Sequence, residues 1–268
     1  MRNLVLRLIG SKKVRAVIKV LRLHLLGNWW LRHFPVVRTL PGSGIRYRAR
    51  RVDSLALAAE MFESDAVYSA SDLPANIRTF ADLGCNVGYF TCWLCHQLQT
   101  RQVKGLMVDA NAEAVEDARW QAAANNLSDV HVLHGLAGTG GRDGQATFCL
   151  HAANVCSTAV PSDAALRRAF TWTPIQVPCL SIEESWRNLL GDVPCDLLKV
   201  DIEGSEMDFF RTETAFLTRF RTIVVEWHKW RVSFAEMEKF LAQQGFSLKS
   251  VVREDPKYAT AVFSRKTT

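Results

Sequence analysis

From about residue 77 onward, short apolar runs alternate with amphipathic stretches. The runs "RTFADLG", "KGLMVDA", "DVHVLHG", "CDLLKVDIEG" and "RTIVVEWH" are rich in aliphatic and β-branched side chains, as strands buried on both faces are. Between and after them, residues 87–99, 112–126, 205–217 and 233–244 repeat their apolar positions at helical spacing. Strands separated by helices need crossover connections, so the sheet is expected to be mostly parallel, with helices on both faces. The last two runs, "FSLKSVV" and "YATAVFSR", are joined only by "REDPK". With no room for a helix they predict an antiparallel hairpin that closes an α/β fold. Residues 141–180 break the alternation as an insertion, with strand-like "QATFCL" and "PIQVPCL" around the polar "HAANVCSTAV".

The N-terminal pattern is different. Val14, Val17, Ile18, Leu21 and Leu25 fall at helical spacing, with Lys12, Lys13, Arg15, Lys19 and Arg22 largely on the other faces. This predicts a cationic amphipathic helix, ended by Gly27 and Asn28 and followed by Trp29 and Trp30, residues suited to a membrane interface. "LVLRLIG" and "LRLHLLG" are too short to span a bilayer. Two readings of the arm stand side by side: contact with an anionic membrane surface through residues 1–40, or a helix whose apolar stripe packs on the main domain. A targeting presequence is a further option, and nucleic acid is disfavoured because no base-reading or stacking pattern is present.

Charge sharpens this division. Thirteen lysines and arginines precede Asp53, the first acid; the remaining 20 face all 27 acids, so the rest of the chain is net negative. We therefore expect a basic helical arm over 1–56 and one principal domain over 57–268, a size that a single core can serve. The seven cysteines follow no secretory signal and suggest no disulfide framework, which points to a reducing, cytoplasmic location, with the inner membrane face as the arm's option. Cys92 and Cys95 form a CxxC on a predicted helix with no second pair nearby, so burial as small apolar residues is expected rather than zinc.

"FADLGCNVGYF" ends the first strand in a glycine turn and opens a helix, the place where an open α/β sheet binds its ligand. Gly84 and Gly88 admit a ligand to the backbone, and Asn86 tolerates left-handed conformations. Asp109, 27 residues beyond Asp82, ends the second strand near the spacing at which an acid meets a ribose diol. A pyrophosphate needs bare backbone and no nearby anion, whereas Asp82 adds a carboxylate and Asn86 a side chain. S-adenosylmethionine, which carries an ammonium and a sulfonium, suits that charge.

A second constellation closes the fourth strand. In "LLKVDIEGSE" the two-residue period puts Lys199, Asp201 and Glu203 on one face, and in "TIVVEWH" it pairs Glu226 with His228. If these strands are neighbours, five ionisable groups converge beside the cofactor. A structural salt network would account for part of this. The chemical reading is deprotonation of an acceptor hydroxyl, with His228 as base oriented by Glu226 or Asp201, and Asp201 as the next choice of base. No metal is expected, although two carboxylates and a histidine could hold a divalent ion on the substrate oxygen.

"DLGCNVG", "LLKVDIEGSE" and "VVEWH", in this order, resemble the FkbM family of S-adenosylmethionine-dependent methyltransferases. The resemblance runs from about residue 57 to the C-terminus and includes "EMFESDAVYS", "ANAEAVEDARWQAAANN" and "SIEESW". It implies the class I methyltransferase fold, Rossmann-like, with a seven-stranded sheet whose final strand is reversed. It also implies O-methylation of a hydroxyl on a macrolide or sugar. Asp82, Gly84, Asn86 and Gly88 would hold the amino-acid part of the cofactor and Asp109 its ribose. Lys199, Asp201, Glu203, Glu226 and His228 would line the reaction face, with Glu203 next to the cofactor. "VDANAE" replaces the Glu-Pro-Asn common in relatives, and the arm lies outside the family pattern. The expected activity is methyl transfer to a hydroxyl of a saccharide, glycolipid or related natural product. The rivals are a membrane-associated binding protein that keeps the fold without turnover, and a dinucleotide oxidoreductase.

Overall fold

The computed structural model describes residues 23–63, 68, 71, 73–138, 144–151, 159 and 172–266. Most of the predicted cationic helix, including Val14 through Arg22, lies outside them, as does nearly all of the polar loop of the insertion.

A seven-stranded sheet forms the centre. It comprises β3 (Thr79–Leu83), β4 (Lys104–Asp109), β5 (Val130–His134), β9 (Cys195–Val200), β10 (Phe220–His228), β11 (Phe246–Glu254) and β12 (Tyr258–Arg265). Their spatial order is β11-β12-β10-β9-β3-β4-β5. The strands from β5 to β10 run parallel, while β12 is antiparallel to both β10 and β11. The reversed strand thus lies between β10 and β11, as the short "REDPK" link requires. The switch in strand order falls between β3 and β9, which places the crevice for a ligand at the carboxyl ends of those two strands.

Each sheet face carries its own core. Phe80, Leu197 and Val224 point to a cluster with Trp93, Leu94 and Cys95 of α3 (Tyr89–Gln97), joined by α2 (Val52–Glu63) and α4 (Ala112–Ala124). Ala81, Leu198, Ile223 and Val225 point to the other cluster, with Trp186 of α5 (Ile182–Leu190), Phe209 of α6 (Glu206–Thr212) and Leu241 of α7 (Phe234–Gln243). Fully burying each such side chain contributes about 1.5–3 kcal/mol. Cys92 and Cys95 are free and buried, and burial drives the Cys95 thiol up to about 12.

Two N-terminal expectations are corrected. The helix α1 (Leu23–His33) runs through Gly27 and Asn28 rather than stopping there. Gly27 allows close approach to α2, since a Cβ at this position would lie 2.9 Å from Val52 Cγ2, and Asn28 Oδ1 accepts the Val52 N–H at 2.8 Å. A boundary at 56/57 would divide α2, and the hairpin β1 (Val36–Thr39) with β2 (Arg46–Ala49) belongs to the body of the domain. Tyr47 and Ala49 are buried, and Arg48 and Arg50 both pair with Asp117 on α4, at 2.6 and 2.8 Å. Arg51 and Arg32 meet Glu113 at 3.2 and 2.8 Å. Part of the basic N-terminal charge therefore neutralises one acidic helix.

The two strand-like pieces of the insertion are strands, β7 (Gln145–His151) and β8 (Trp172–Leu180); they pair antiparallel, and the short β6 (Leu136–Ala137) adds to β8 in parallel.

Candidate active site

The loop after β3 has the backbone that its residues suggest. Gly84, Asn86 and Gly88 all take positive φ, at 70, 48 and 82°. Gly84 cannot be anything larger, because a Cβ there would sit 1.7 Å from the carbonyl oxygen of Asp201. Asp201 in turn donates its N–H to Leu83 O at 3.0 Å, so the carboxyl end of β9 is stitched against the glycine loop. Gly88 lets the following helix close on Ala118 of α4, 3.2 Å from where its Cβ would be. Asp109, at the end of β4, accepts the Asn86 N–H at 2.8 Å through Oδ2 and the Asn111 N–H at 2.8 Å through Oδ1. One carboxylate thus fixes both the loop and the start of α4, and each oxygen keeps a lone pair.

Asp82 is not at the lip of this loop. It is fully buried, level with Lys199 across the β3–β9 pair, and its Oδ1 lies 3.3 Å from Lys199 Nζ. Thr91 donates to its Oδ2 at 3.1 Å. The sequence-based charge argument assigned to Asp82 an attraction for a cationic ligand that Lys199 already satisfies. Burial opposes the charge on Lys199, but Asp82 and Asp201 outweigh it and hold the amine protonated. Lys199 also donates to Gly84 O at 2.7 Å and sits 3.6 Å from Asp201 Oδ2, so it braces the loop from beneath.

The strand β9 ends at Val200, and Glu203 and Gly204 take φ of 53 and 96° as the chain turns into α6. Asp201, Glu203 and His228 are nonetheless brought together: one ligand atom from each lies within 4.8 Å of the others. His228 is 5% exposed and held between two carboxylates, its Nε2 3.2 Å from Glu203 Oε2 and its Nδ1 2.8 Å from Glu206 Oε1. Burial works against its charge, yet Glu203 and Glu206 prevail and push its pKa up to about 12. Both ring nitrogens are thus engaged, and the two carboxylates favour the protonated ring. Its orienting partners are Glu203 and Glu206, not Glu226 or Asp201.

Glu226 is the other strongly shifted group of this region. Burial, followed by repulsion from Asp201, drives its carboxyl up to about 8, against the pull of His228 and Lys199. Thr260, opposite it on β12, donates to Oε2 at 3.4 Å. Two residues of this region were missed in sequence. Glu206 is fully buried and bonds His228, and it also accepts the Gly204 N–H at 2.9 Å, yet in "EGSE" it lies beyond the strand whose parity selected its neighbours. Trp230 packs over Gly204, whose Cβ would come within 2.7 Å of the indole, and its ring centroid is 6.3 Å from that of His228.

Asp109, Asp201, Glu203 and Glu226 all lie at or just beyond the carboxyl ends of neighbouring strands, where a dinucleotide's phosphates would need donors. Asp109's free lone pairs suit the donating hydroxyls of a ribose, and the acidic surroundings suit a cationic donor. A parallel sheet with a glycine loop after its first strand, an acid at the end of the next and the reversed strand in the penultimate position is that of a class I, Rossmann-like methyltransferase, for which S-adenosylmethionine supplies the methyl group. Within that class the chain belongs to the FkbM methyltransferase family: the Methyltransferase FkbM domain model matches residues 82–248. A methyltransferase of Jannaschia sp. (strain CCS1) is 26% identical over 199 residues, covering 68% of this chain and 67% of that protein. Among solved structures, methyltransferase FkbM from Methylobacillus flagellatus KT matches with a TM-score of 0.47 and 13% identity, over 75% of this chain and 47% of that one. M. capricolum TrmK, in complex with S-adenosyl-homocysteine, matches with a TM-score of 0.42 and 11% identity, over 71% and 63%. The chain spans less than two thirds of either structure, and likenesses this faint bear no weight beside the family match.

Proposed function

We propose that the protein transfers the methyl group of S-adenosylmethionine to a hydroxyl of a saccharide, glycolipid or related natural product. The observation that carries this reading is the contact of Asp201 with Gly84, which sets the carboxylate cluster directly against the nucleoside loop. Methyl transfer is an in-line displacement, so the site must chiefly position its two reactants and take up a proton. Asp109 and the backbone of the glycine loop bind and orient the donor's nucleoside. Lys199 and Asp82 keep that loop rigid. Glu226 accepts the acceptor hydroxyl's proton at its carboxylate, because its pKa near 8 matches a base working slightly above neutrality. The His228 imidazolium, locked by Glu203 and Glu206, supplies fixed positive charge beside the oxygen that turns nucleophilic.

The test is incubation with methyl-labelled S-adenosylmethionine and fractionated glycans and lipids. Label should appear in methyl ethers, which survive mild alkali. Label released by mild alkali would mean a carboxylate acceptor, and label on amines a different base chemistry; either result overturns the hydroxyl assignment. Binding of S-adenosylhomocysteine with no transfer to any fraction would favour the non-catalytic rival.

A further inference from the structure

The helix α1 is amphipathic in the reverse of the usual sense. Its inward side carries Gly27, Asn28 and Leu31; Gly27 and Asn28 meet Val52 of α2, and Leu31 is buried. Its outward side carries Leu25, Leu26, Trp29, Trp30 and Phe34, each between 52% and 65% exposed. At 100° per residue these five occupy one half of the helix circumference, opposite Gly27 and Leu31. The rings are paired along the face, Trp29 with His33 at 4.7 Å and Trp30 with Phe34 at 5.6 Å between centroids. Of the apolar stripe predicted from sequence only Leu25 is described, and it is exposed; Val14, Val17, Ile18 and Leu21 lie outside the described residues. Five large apolar side chains on one outward face make a continuous patch of the kind that marks an interaction site.

We infer that this face docks in the interface of an anionic lipid bilayer. Three observations select lipid over other occupants. Tryptophan is the side chain best suited to the boundary between acyl chains and headgroups, and two adjacent copies stand at the centre of the patch. The 22 residues leading into the helix carry seven lysines and arginines and no acid, a density that anionic headgroups attract at roughly 1 kcal/mol per cation near the surface. Among the described residues, a second copy of the chain offers this patch nothing comparable except another α1, since the other exposed large hydrophobics are Val37, Leu189, Trp230, Leu248 and Val251, of which only Leu248 and Val251 share an element. Pairing two copies of α1 would bring two cation-rich segments together. No described helix is long and apolar enough to cross a membrane, so the helix would lie in the plane of the interface. The docking suits the glycolipid arm of the acceptor reading. It is measured without turnover, so its failure and that of methyl transfer are told apart.

The experiment is cosedimentation of the full chain with phosphatidylcholine vesicles containing about 30% phosphatidylglycerol, and with phosphatidylcholine alone, at low and high salt. Partitioning is expected on the anionic vesicles and is expected to weaken at high salt as screening shortens the reach of the cations. Trp29→Ala/Trp30→Ala should lower it about tenfold or more with no change in thermal melting, because both side chains are solvent-exposed. Neutralising Lys12, Lys13, Arg15 and Lys19 to Gln should abolish the preference for anionic over neutral vesicles. Equal binding by the wild type and the tryptophan variant would overturn the inference. So would absence of wild-type binding to either vesicle, or a concentration-dependent dimer in lipid-free buffer that the tryptophan variant abolishes.

Discussion

Glu226 holds a charge that the fold makes costly, and that cost can be measured. Its pKa rises from 4.5 to about 8 because burial and then Asp201 disfavour the carboxylate. The folded state therefore binds the proton more tightly than the unfolded chain. Stability is fully present below about pH 4.5 and is lost as pH climbs toward 8. At about 1.4 kcal/mol per pKa unit, the ceiling on the loss is roughly 3 kcal/mol at pH 7 and roughly 5 kcal/mol by pH 9. Glu203, also raised by burial, titrates with its neighbours and will share part of the adjustment, so a measured effect of about 1–2 kcal/mol is expected.

Glu226→Gln removes the charge and keeps the shape. The variant should be more stable than the wild type at pH 8, by about 2–6 °C in melting temperature, with the difference vanishing near pH 4.5. If Glu226 is also the base, the same change should lower kcat about 10²–10⁴-fold and remove the rise in rate through about pH 8. Thermal melts and initial rates across pH 5–9 read both quantities. Opposite signs for stability and turnover are what a base strained for function requires. A variant destabilised across the whole range, or one that keeps full turnover with the limb near pH 8 intact, refutes the reasoning.

Two further outcomes follow from the same charges. Lys199→Met should cost about 3–5 kcal/mol by leaving the buried Asp82 with Thr91 as its main partner, and adding Asp82→Asn should recover a large part, measured by urea denaturation. Because the Glu203–His228 ion pair at 3.2 Å already fills the space between three prospective ligands, EDTA should change turnover less than about twofold; a magnesium stimulation above about tenfold would instead place a cation among Asp201, Glu203 and His228.

The central strands β3, β4, β9 and β10 were legible because they are buried on both faces and read as nearly unbroken apolar runs, and the last pair because five residues leave no room for a crossover, although the edge strand β11 is largely exposed. Parity within a strand correctly grouped Lys199 with Asp201 and Glu226 with His228. Parity does not say which strand lies beside which. Lys199 neutralises Asp82 only because β9, distant in sequence, inserts next to β3 with those two residues level. Without that register Asp82 looked like a free anion at the loop's mouth, and the charge argument was assigned to the wrong acid. The case for S-adenosylmethionine rests instead on the family match and on Asp109 at the loop.

Gly27 and Asn28 show the same limit from the helical side. By propensity they end a helix; with Val52 opposite, the glycine becomes a point of close approach and the asparagine a cap for the next helix, and α1 continues. Tertiary partners overrode local preference wherever a residue's job was defined by something distant in the chain. The exposed face of α1 is the converse case, since its apolar residues have found no partner among the described residues. Local preference there is unopposed by any described neighbour, and the apolar surroundings that such a face prefers, which the described residues do not supply, are what the proposed lipid docking would provide.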